Sequence, residues 1–322
     1  MKTLGLMTSG GDAPGMNAAI RAIVRVARGR RWRVLGFQRG YEGILQEQFQ
    51  EMDARSVSNI IHRGGTILKT ARSRDFLTLN GQKRAARNLD KLKVDGLVLI
   101  SGNGTFRGAM DLARAWRGKL VGIPGTIDND LFGTDFRLRF DTAVNTAVQA
   151  IDKVRDTADA HDRVFLIEVM GRHSGHIAIA VGFATGAEQI LIPEKAANVH
   201  TICRQLCAGR SRGKTSSIVV VAEGAVKGGA YRIADQLRRS SRNEYRVCIL
   251  GHIQRGGSPT AADRLLGTKL GGYAVDLLAR GQTGVMAGEV GGKLVATPLR
   301  AAVQHKKKLD HDLLKFHSKL SL

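Results

Sequence analysis

The stretch TLGLMTSGGDAPGMNAAIR (3–21) decides the fold. An apolar run, TLGLM (3–7), breaks into the glycine-rich turn TSGGDAPG (8–15), and a helix-forming segment begins near Met16. The same order recurs down the chain. LVLI (97–100) runs into SGNGTFRG (101–108), LVGI (120–123) into PGTIDND (124–130), and VFLIEVM (164–170) into GRHSG (171–175). IVVVAE (218–223) leads to a glycine pair, and VCIL (247–250) to GHIQRGG (251–257). Near-continuous Val/Ile/Leu runs suit strands buried on both faces, as in parallel sheets covered by helices. Their alternation with helices predicts an α/β architecture.

Helical periodicity fills the intervals. Residues 142–158 place Ala143, Val144, Ala147, Val148, Ile151 and Val154 on one stripe, and Asp141 stands where an N-cap would. In the first helix Ala19, Ile23 and Val24 can face a sheet, while Arg21, Arg25 and Arg28 share the other face. No repeat of solenoid period and no low-complexity linker interrupts the 322 residues, so a second domain must be joined closely, by chain crossovers.

An apolar fraction of 43% with only 5 prolines excludes a disordered chain. No apolar run is long enough to cross a bilayer, and MKTLGLMTSGGD has no signal-peptide pattern. Three cysteines are too few for a disulfide framework and point to a reducing cytoplasm. Cys203 and Cys207 lie four apart on a predicted helix without a second pair to complete a zinc site, and Cys248 reads as core. The closing LDHDLLKFHSKLSL (309–322) reads as a short amphipathic helix packed on a domain rather than a membrane anchor. A formal net charge of +22 attracts polyanions and phosphorylated metabolites. At 5% aromatic, the chain lacks stacking platforms for single strands, so no specific nucleic acid is expected. The short basic clusters RGRRWR (28–33) and HKKK (305–308) read as solvated surface.

In doubly wound folds ligands bind outside the carboxyl ends of the strands. Glycine there lets backbone N–H groups approach an anion, and the following helix N-terminus adds partial positive charge. SGGDAPG and SGNGTFRG both suit that task. Neither is a Walker A loop, and neither fits the dinucleotide fingerprint. Each alone also serves as a tight strand–helix connection; several together favour a phosphorylated ligand. In PGTIDND, Asp128 and Asp130 set two carboxylates two residues apart just past a buried strand. Such a pair suits metal-assisted phosphoryl transfer, against the plainer role of capping turn N–H groups. GRHSG and GHIQRGGSP add Arg172, His252 and Arg255 at comparable strand ends, where guanidiniums can hold a phosphate bidentately.

The series TSGGDAPGMNAAIR, RGGT, PGTIDND, EVMGR and LGHIQRGGSP, in that order, resembles the bacterial ATP-dependent 6-phosphofructokinase family over nearly the whole chain. The resemblance implies transfer of the ATP γ-phosphoryl group to the 1-hydroxyl of fructose 6-phosphate, with Mg²⁺, in glycolysis. It implies two Rossmann-like domains with mainly parallel sheets. The larger, nucleotide-binding domain would cover 1–140 plus 254–304, and the smaller, sugar-phosphate-binding domain 141–253 plus 305–322. A cytoplasmic homotetramer is implied, with active and effector sites built partly from neighbouring chains.

Roles follow by motif. Asp128 is similar to the base that takes the sugar hydroxyl proton, and Arg172 to the arginine that stabilises the transferring phosphoryl. Thr126 and Asp130 are similar to residues that position sugar and metal–phosphate. Gly11, Tyr41, Arg72, Gly102, Asn103, Gly104, Thr105 and Gly108 fall at nucleotide-site positions. Met170, Gly171, Glu223, His252 and Arg255 match the sugar-phosphate pocket. Arg163 and Arg246 match arginines that reach a neighbouring subunit's 6-phosphate. Arg21, Arg25, Arg155, Glu188, Arg212 and Lys214 resemble the family's ADP/phosphoenolpyruvate effector pocket, although one arginine of that set appears as Ala54 beside Arg55.

Three features qualify or sharpen the resemblance. The family's metal-holding Asp in G-G-D-G is Asn103 here, which keeps an oxygen ligand without its charge and predicts weaker Mg²⁺ capture, with Asp130 bearing more of it. Pyrophosphate-using relatives carry Asp and Lys where Gly104 and Gly125 stand, so ATP is the expected donor and pyrophosphate the alternative. Arg137 and Arg139 are unusual and have no functional account from sequence. A non-catalytic relative that senses nucleotide or sugar phosphate is the second alternative, with Asn103 as its only support.

Overall fold

Runs of β-branched and leucine residues become strands that are buried on both faces, and their order sets where the turns meet. The computed structural model describes residues 2–11, 14–241 and 243–320; Asp12 and Ala13 of the first glycine turn and the last two residues of the closing segment lie outside them. The chain runs β1 (Thr3–Thr8), α1 (Met16–Gly29), β2 (Arg33–Phe37), α2 (Tyr41–Leu45), β3 (Phe49–Glu51), α3 (Leu79–Lys91), β4 (Gly96–Ser101), α4 (Asn103–Ala115) and β5 (Lys119–Pro124). It continues through α5 (Phe140–Ala160), β6 (Val164–Val169), α6 (His176–Ala184), β7 (Gln189–Leu191), α7 (Val199–Ser211), β8 (Ser217–Ala222), α8 (Gly229–Ser240) and β9 (Tyr245–Ile249). It closes with α9 (Ala261–Ala279), β10 (Val285–Val290), β11 (Lys293–Pro298), α10 (Leu299–Gln304) and α11 (His311–Leu320).

These elements divide into two units, each assembled from separate stretches of chain. Unit 1 comprises residues 1–126, 131–141 and 256–307; unit 2 comprises 127–130, 142–255 and 308–322. The sheet of unit 1 has the order β11-β10-β5-β4-β1-β2-β3. Its strands are parallel except the edge pairs β2–β3 and β10–β11. Strand residues alternate between two cores, as a period of two requires. Leu4, Leu6, Val98 and Ile100 face α1 and α9, while Met7, Leu97 and Leu99 face Phe106, Leu112 and Trp116 on the other side. Helices α1 and α9 pack so closely that a Cβ at Gly267 would meet the Gly15 carbonyl oxygen at 2.8 Å, and one at Gly271 the Ala19 carbonyl oxygen at 2.6 Å. Larger residues there would wedge the two helices apart.

Unit 2 holds an all-parallel sheet of order β7-β8-β6-β9. Its core joins β6 and β8 to α7 and α8 through Leu166, Val219, Val221, Ile202, Leu206, Ile233 and Leu237. Helix α11 closes against it, with the buried His317 ring nitrogen 2.7 Å from the Ala187 carbonyl oxygen.

Two local expectations need correction. Helix α5 starts at Phe140, so Asp141 lies inside the first turn rather than at the N-cap. Its carboxylate still sits at the positive end of the helix dipole, which is the physical reason an acid is found there. Cys248 is half-buried on β9, the edge strand of its sheet among the described residues. Arg137 and Arg139, unexplained from sequence, are buried in unit 1. Arg139 adopts φ +90° and its N–H donates to Asp263 Oδ1 at 2.8 Å.

Candidate active site

In unit 1 the chain forms β1 and β2, then returns to the other side of β1 for β4. That reversal opens a crevice at the carboxyl ends of β1 and β4, the place where doubly wound sheets take ligands. The predicted glycine turns fill it. Ser9 N–H donates to the Ile100 carbonyl at 3.3 Å, and Gly125 N–H to the Ser101 carbonyl at 2.8 Å. The turns after β1, β4 and β5 therefore lie side by side. Ser101 Oγ donates to the Ser9 carbonyl at 2.7 Å and is 2.7 Å from Thr105 Oγ1, which locks two of them together. Gly11 and Gly104 are exposed there, and Thr126 is half-buried beside Gly102.

Helix α4 is capped by Gly102, which has no side chain to satisfy the first-turn N–H groups. Asn103 opens the helix, so a neutral amide stands at the positive end of a thirteen-residue dipole. A Cβ at Gly104 would meet nothing within 4 Å, and its φ is not positive, so nothing in the fold itself demands glycine there. Gly108 is different. A Cβ on it would come within 3.0 Å of both Tyr41 Cε2 and Phe76 Cε1. Tyr41 is buried and stacks on Phe76 with ring centroids 3.7 Å apart, and its hydroxyl donates to the Thr105 carbonyl at 2.8 Å. Burial, then the Asp111 carboxylate, pushes its phenol well above the ordinary value, so it stays a hydrogen-bond donor. Tyr41 and Gly108 thus support the start of α4 from behind. Arg72 is exposed on the segment that precedes Phe76.

Unit 2 repeats the reversal around β6, with β8 on one side and β9 on the other. Beyond the carboxyl end of β6, Gly171 has φ +143° and Arg172 φ +52°. A non-glycine residue in the left-handed region is uncommon and needs support. Glu223 supplies it: Oε1 accepts the Arg172 N–H at 2.6 Å. The Arg172 side chain then stands with Nε 3.9 Å from Asp128 Oδ2. The Asp128 side chain is 15% exposed against 59% for Arg172, so a shielded carboxylate faces an open guanidinium. Ser174 Oγ donates to the Asp128 carbonyl at 2.8 Å, and Asn129 takes φ +48°, which together fix the turn that presents Asp128 and Asp130. His252 is exposed and Arg255 half-buried on the short turn Gly251–Arg255 after β9.

Two contributors escaped the sequence reading. Gln254 is wholly buried; its Oε1 accepts the Met170 N–H at 2.8 Å and its Nε2 donates to the Ala143 carbonyl at 3.2 Å. It ties the end of β6 to α5. Ser174 holds the Asp128 backbone. Both lie inside quoted motifs, GHIQRGG and GRHSG, but their partners are 84 and 46 residues away.

Arg163 and Arg246 lie at the other end of the same sheet. Val164 pairs with Tyr245 and Phe165 with Arg246, at the amino ends of β6 and β9. Six strand residues separate Arg163 from Met170, about 20 Å at the rise of a β-strand. No arginine side chain spans that distance.

Of the expected effector residues, Arg21 is half-buried and Arg25 exposed on α1 in unit 1. In unit 2, Lys214 Nζ lies 2.6 Å from Glu188 Oε1, while Glu188 Oε2 accepts the Ile218 N–H. A cavity of about 320 Å³ opens there between Glu188, Gln205, Gly209, Arg212, Lys214 and Ser217. Arg155 donates to the Thr185 carbonyl at 2.6 Å. Among the described residues no group of three or more His, Cys, Asp or Glu side chains is placed to hold a metal ion.

Residues 3–278 match the family described as Phosphofructokinase. The chain is 53% identical over 322 residues to the ATP-dependent 6-phosphofructokinase 1 of Thermus thermophilus, covering 100% of both chains. It is 47% identical over 322 residues to the ATP-dependent 6-phosphofructokinase of Bacillus subtilis, again covering 100% of both. Among solved structures it superposes on phosphofructokinase from Saccharomyces cerevisiae with a TM-score of 0.89 at 33% identity, covering 100% of this chain and 48% of that one.

Proposed function

The chain belongs to the phosphofructokinase family, and from that premise we propose that it transfers the γ-phosphoryl group of ATP to the 1-hydroxyl of fructose 6-phosphate, giving fructose 1,6-bisphosphate. The full-length relatives support ATP as donor. The observation that carries the chemistry is the Asp128–Arg172 pair at 3.9 Å on strained, buttressed turns. Asp128 is the general base that accepts the 1-hydroxyl proton, leaving an alkoxide-like nucleophile. Arg172, exposed on its support from Glu223, meets the charge that spreads over the transferring phosphoryl oxygens.

The nucleotide would lie on the unit 1 crevice. The start of α4, which no side chain caps, and the open space over Gly104 suit its phosphates, with Gly11, Gly102, Asn103, Thr105 and Arg72 around them and Tyr41 and Gly108 behind. A Cβ at Gly125 would already stand 3.2 Å from Met16 Cε, so the lysine of pyrophosphate users has no room without repacking. The sugar phosphate would be held by Thr126, Met170, Gly171, Glu223, His252 and Arg255.

The donors present fit Mg²⁺ rather than a softer ion. They are hard oxygens, and Mg²⁺ is commonly bound by one or two carboxylates with substrate phosphates rather than by a protein cage, in keeping with the absence of a three-ligand cluster among the described residues. Asp130 would hold it, with the Asn103 amide as a neutral ligand. When bound, it would neutralise charge on the ATP phosphates.

Arg163 and Arg246 lie too far from Arg172 along their own strands to serve the same chain's site. We assign them to the 6-phosphate bound by another copy, which makes the protein a homo-oligomer, a tetramer by family likeness. The unit 2 cavity lined by Glu188, Arg212 and Lys214 would take ADP or phosphoenolpyruvate; Arg21, Arg25 and Arg155 join that effector set by family likeness. No helix among the described residues is long and apolar enough to cross a membrane, and the three free cysteines suit a cytoplasmic setting.

A coupled assay for fructose 1,6-bisphosphate tests this reading, with purified protein, fructose 6-phosphate and Mg²⁺, and with ATP and pyrophosphate offered in parallel. Turnover with ATP is expected. Turnover with pyrophosphate alone would overturn the donor, and silence with both, in folded protein, would overturn the reaction.

A further inference from the structure

Glu244 stands between the two arginines at the amino ends of β6 and β9. Arg163 Nε lies 3.1 Å from Glu244 Oε2, and an Arg246 guanidinium nitrogen contacts Oε1. Each carboxylate oxygen is therefore taken by a different guanidinium. The side chains are 26%, 47% and 52% exposed for Arg163, Glu244 and Arg246, so the cluster is open to a ligand from solvent. The hydrogen bond from Arg163, aided by Arg246, holds the Glu244 carboxyl below the usual carboxylate range, so it stays an anion at neutral pH.

A carboxylate bridging two guanidiniums makes the contacts that a phosphate monoester would make: oxygen acceptors on paired N–H forks. Two anions cannot share that space without repulsion. We propose that Glu244 is the resident anion of the Arg163/Arg246 fork, a positioning residue that the sugar 6-phosphate must displace. This inference rests on the fork being a phosphate ligand, as proposed above. The exchange also selects by charge. A singly charged ion gains little by replacing a singly charged carboxylate, whereas a phosphate dianion gains a second charge at the same two guanidiniums. Glu244 would thus raise the concentration of sugar phosphate needed and keep small monoanions out.

Glu244→Gln keeps size and removes charge. The half-saturating fructose 6-phosphate should fall about two- to fivefold, the range set by an exposed ion pair, with the effect on that constant rather than on kcat or on half-saturating ATP. Inhibition by chloride should strengthen in the variant. Glu244→Ala should move both readouts the same way, which guards against a packing artefact of one substitution. An unchanged or raised half-saturating fructose 6-phosphate in both variants would overturn the proposal, the rise meaning that Glu244 organises the fork instead. Arg163→Ala and Arg246→Ala separate the two layers. If they raise the half-saturating sugar phosphate while the Glu244 variants do nothing, only the resident-anion idea fails. If they leave it unchanged, the fork reading fails and takes this one with it.

Discussion

The two ends of the unit 2 sheet use opposite means. At the carboxyl ends of β6, β8 and β9, the proposed reacting groups are placed by backbone: Gly171 and Arg172 in positive φ, Asn129 on the turn after β5 likewise, and Ser174, Glu223 and Gln254 bracing the turns. At the amino ends, Arg163, Glu244 and Arg246 stand on or beside ordinary strand residues and are held by hydrogen-bonded ion pairs between solvent-accessible side chains. The first arrangement is rigid and aims two groups within 4 Å of each other; the second is exposed and exchangeable. A preorganised pair suits a reacting centre, and an exchangeable fork suits the end of a substrate that must arrive and leave.

The comparison breaks most visibly at Asp128. Asp128→Asn should lower kcat by about 10²- to 10⁴-fold while half-saturating ATP and fructose 6-phosphate stay within a few-fold, as steady-state kinetics would show. Arg172→Ala should cost about 10²- to 10³-fold in kcat. Arg163→Ala and Arg246→Ala should do the reverse, raising half-saturating fructose 6-phosphate by roughly tenfold or more each with kcat largely kept. If the amino-end variants fell in kcat instead, the division between the two ends would be wrong.

Smaller effects sharpen the contrast from unit 1. Asn103→Asp places a carboxylate at the start of α4 and should lower half-saturating Mg²⁺ a few-fold in a metal titration; no change would sink the reading of Asn103 as a weakened metal ligand. Lys307 donates to the Asp135 carbonyl, and burial together with Arg137 lowers its ammonium to about 8. Below pH 8 both folded and unfolded chains carry that proton and the fold bears its cost. Between about 8 and the ordinary 10.5 the unfolded chain binds it more, so this group makes stability rise with pH. Lys307→Met should remove that rise, about 1 kcal/mol once partial exposure is discounted, in denaturation midpoints taken from pH 7 to 10.5, with no change at either end of the unit 2 sheet.

The carboxyl ends were legible because a strand that ends in a glycine turn announces itself over a handful of adjacent residues. Asp128, Asp130, Arg172, His252 and Arg255 could be named from such turns. The braces could not, because Gln254 and Ser174 act on groups 84 and 46 residues away. The arginines of the fork were named only through the family resemblance, and Glu244 not at all, because Arg163 meets it across 81 residues only through the pairing of β6 with β9. Helix ends misled in one place: Asp141 has the chemistry of a cap, but the helix begins one residue earlier, and an acid serves nearly as well inside the first turn.

The most direct test of the division is to mix its two kinds of variant. In the proposed homo-oligomer, co-expressing Asp128→Asn and Arg163→Ala/Arg246→Ala chains and purifying through distinct tags would yield sites with an intact Asp128 from one chain and intact arginines from another. The account predicts that such hybrids regain turnover at fructose 6-phosphate concentrations where both parents are nearly silent. Activity equal to the sum of the parents would contradict it, because each chain would then be completing its own site.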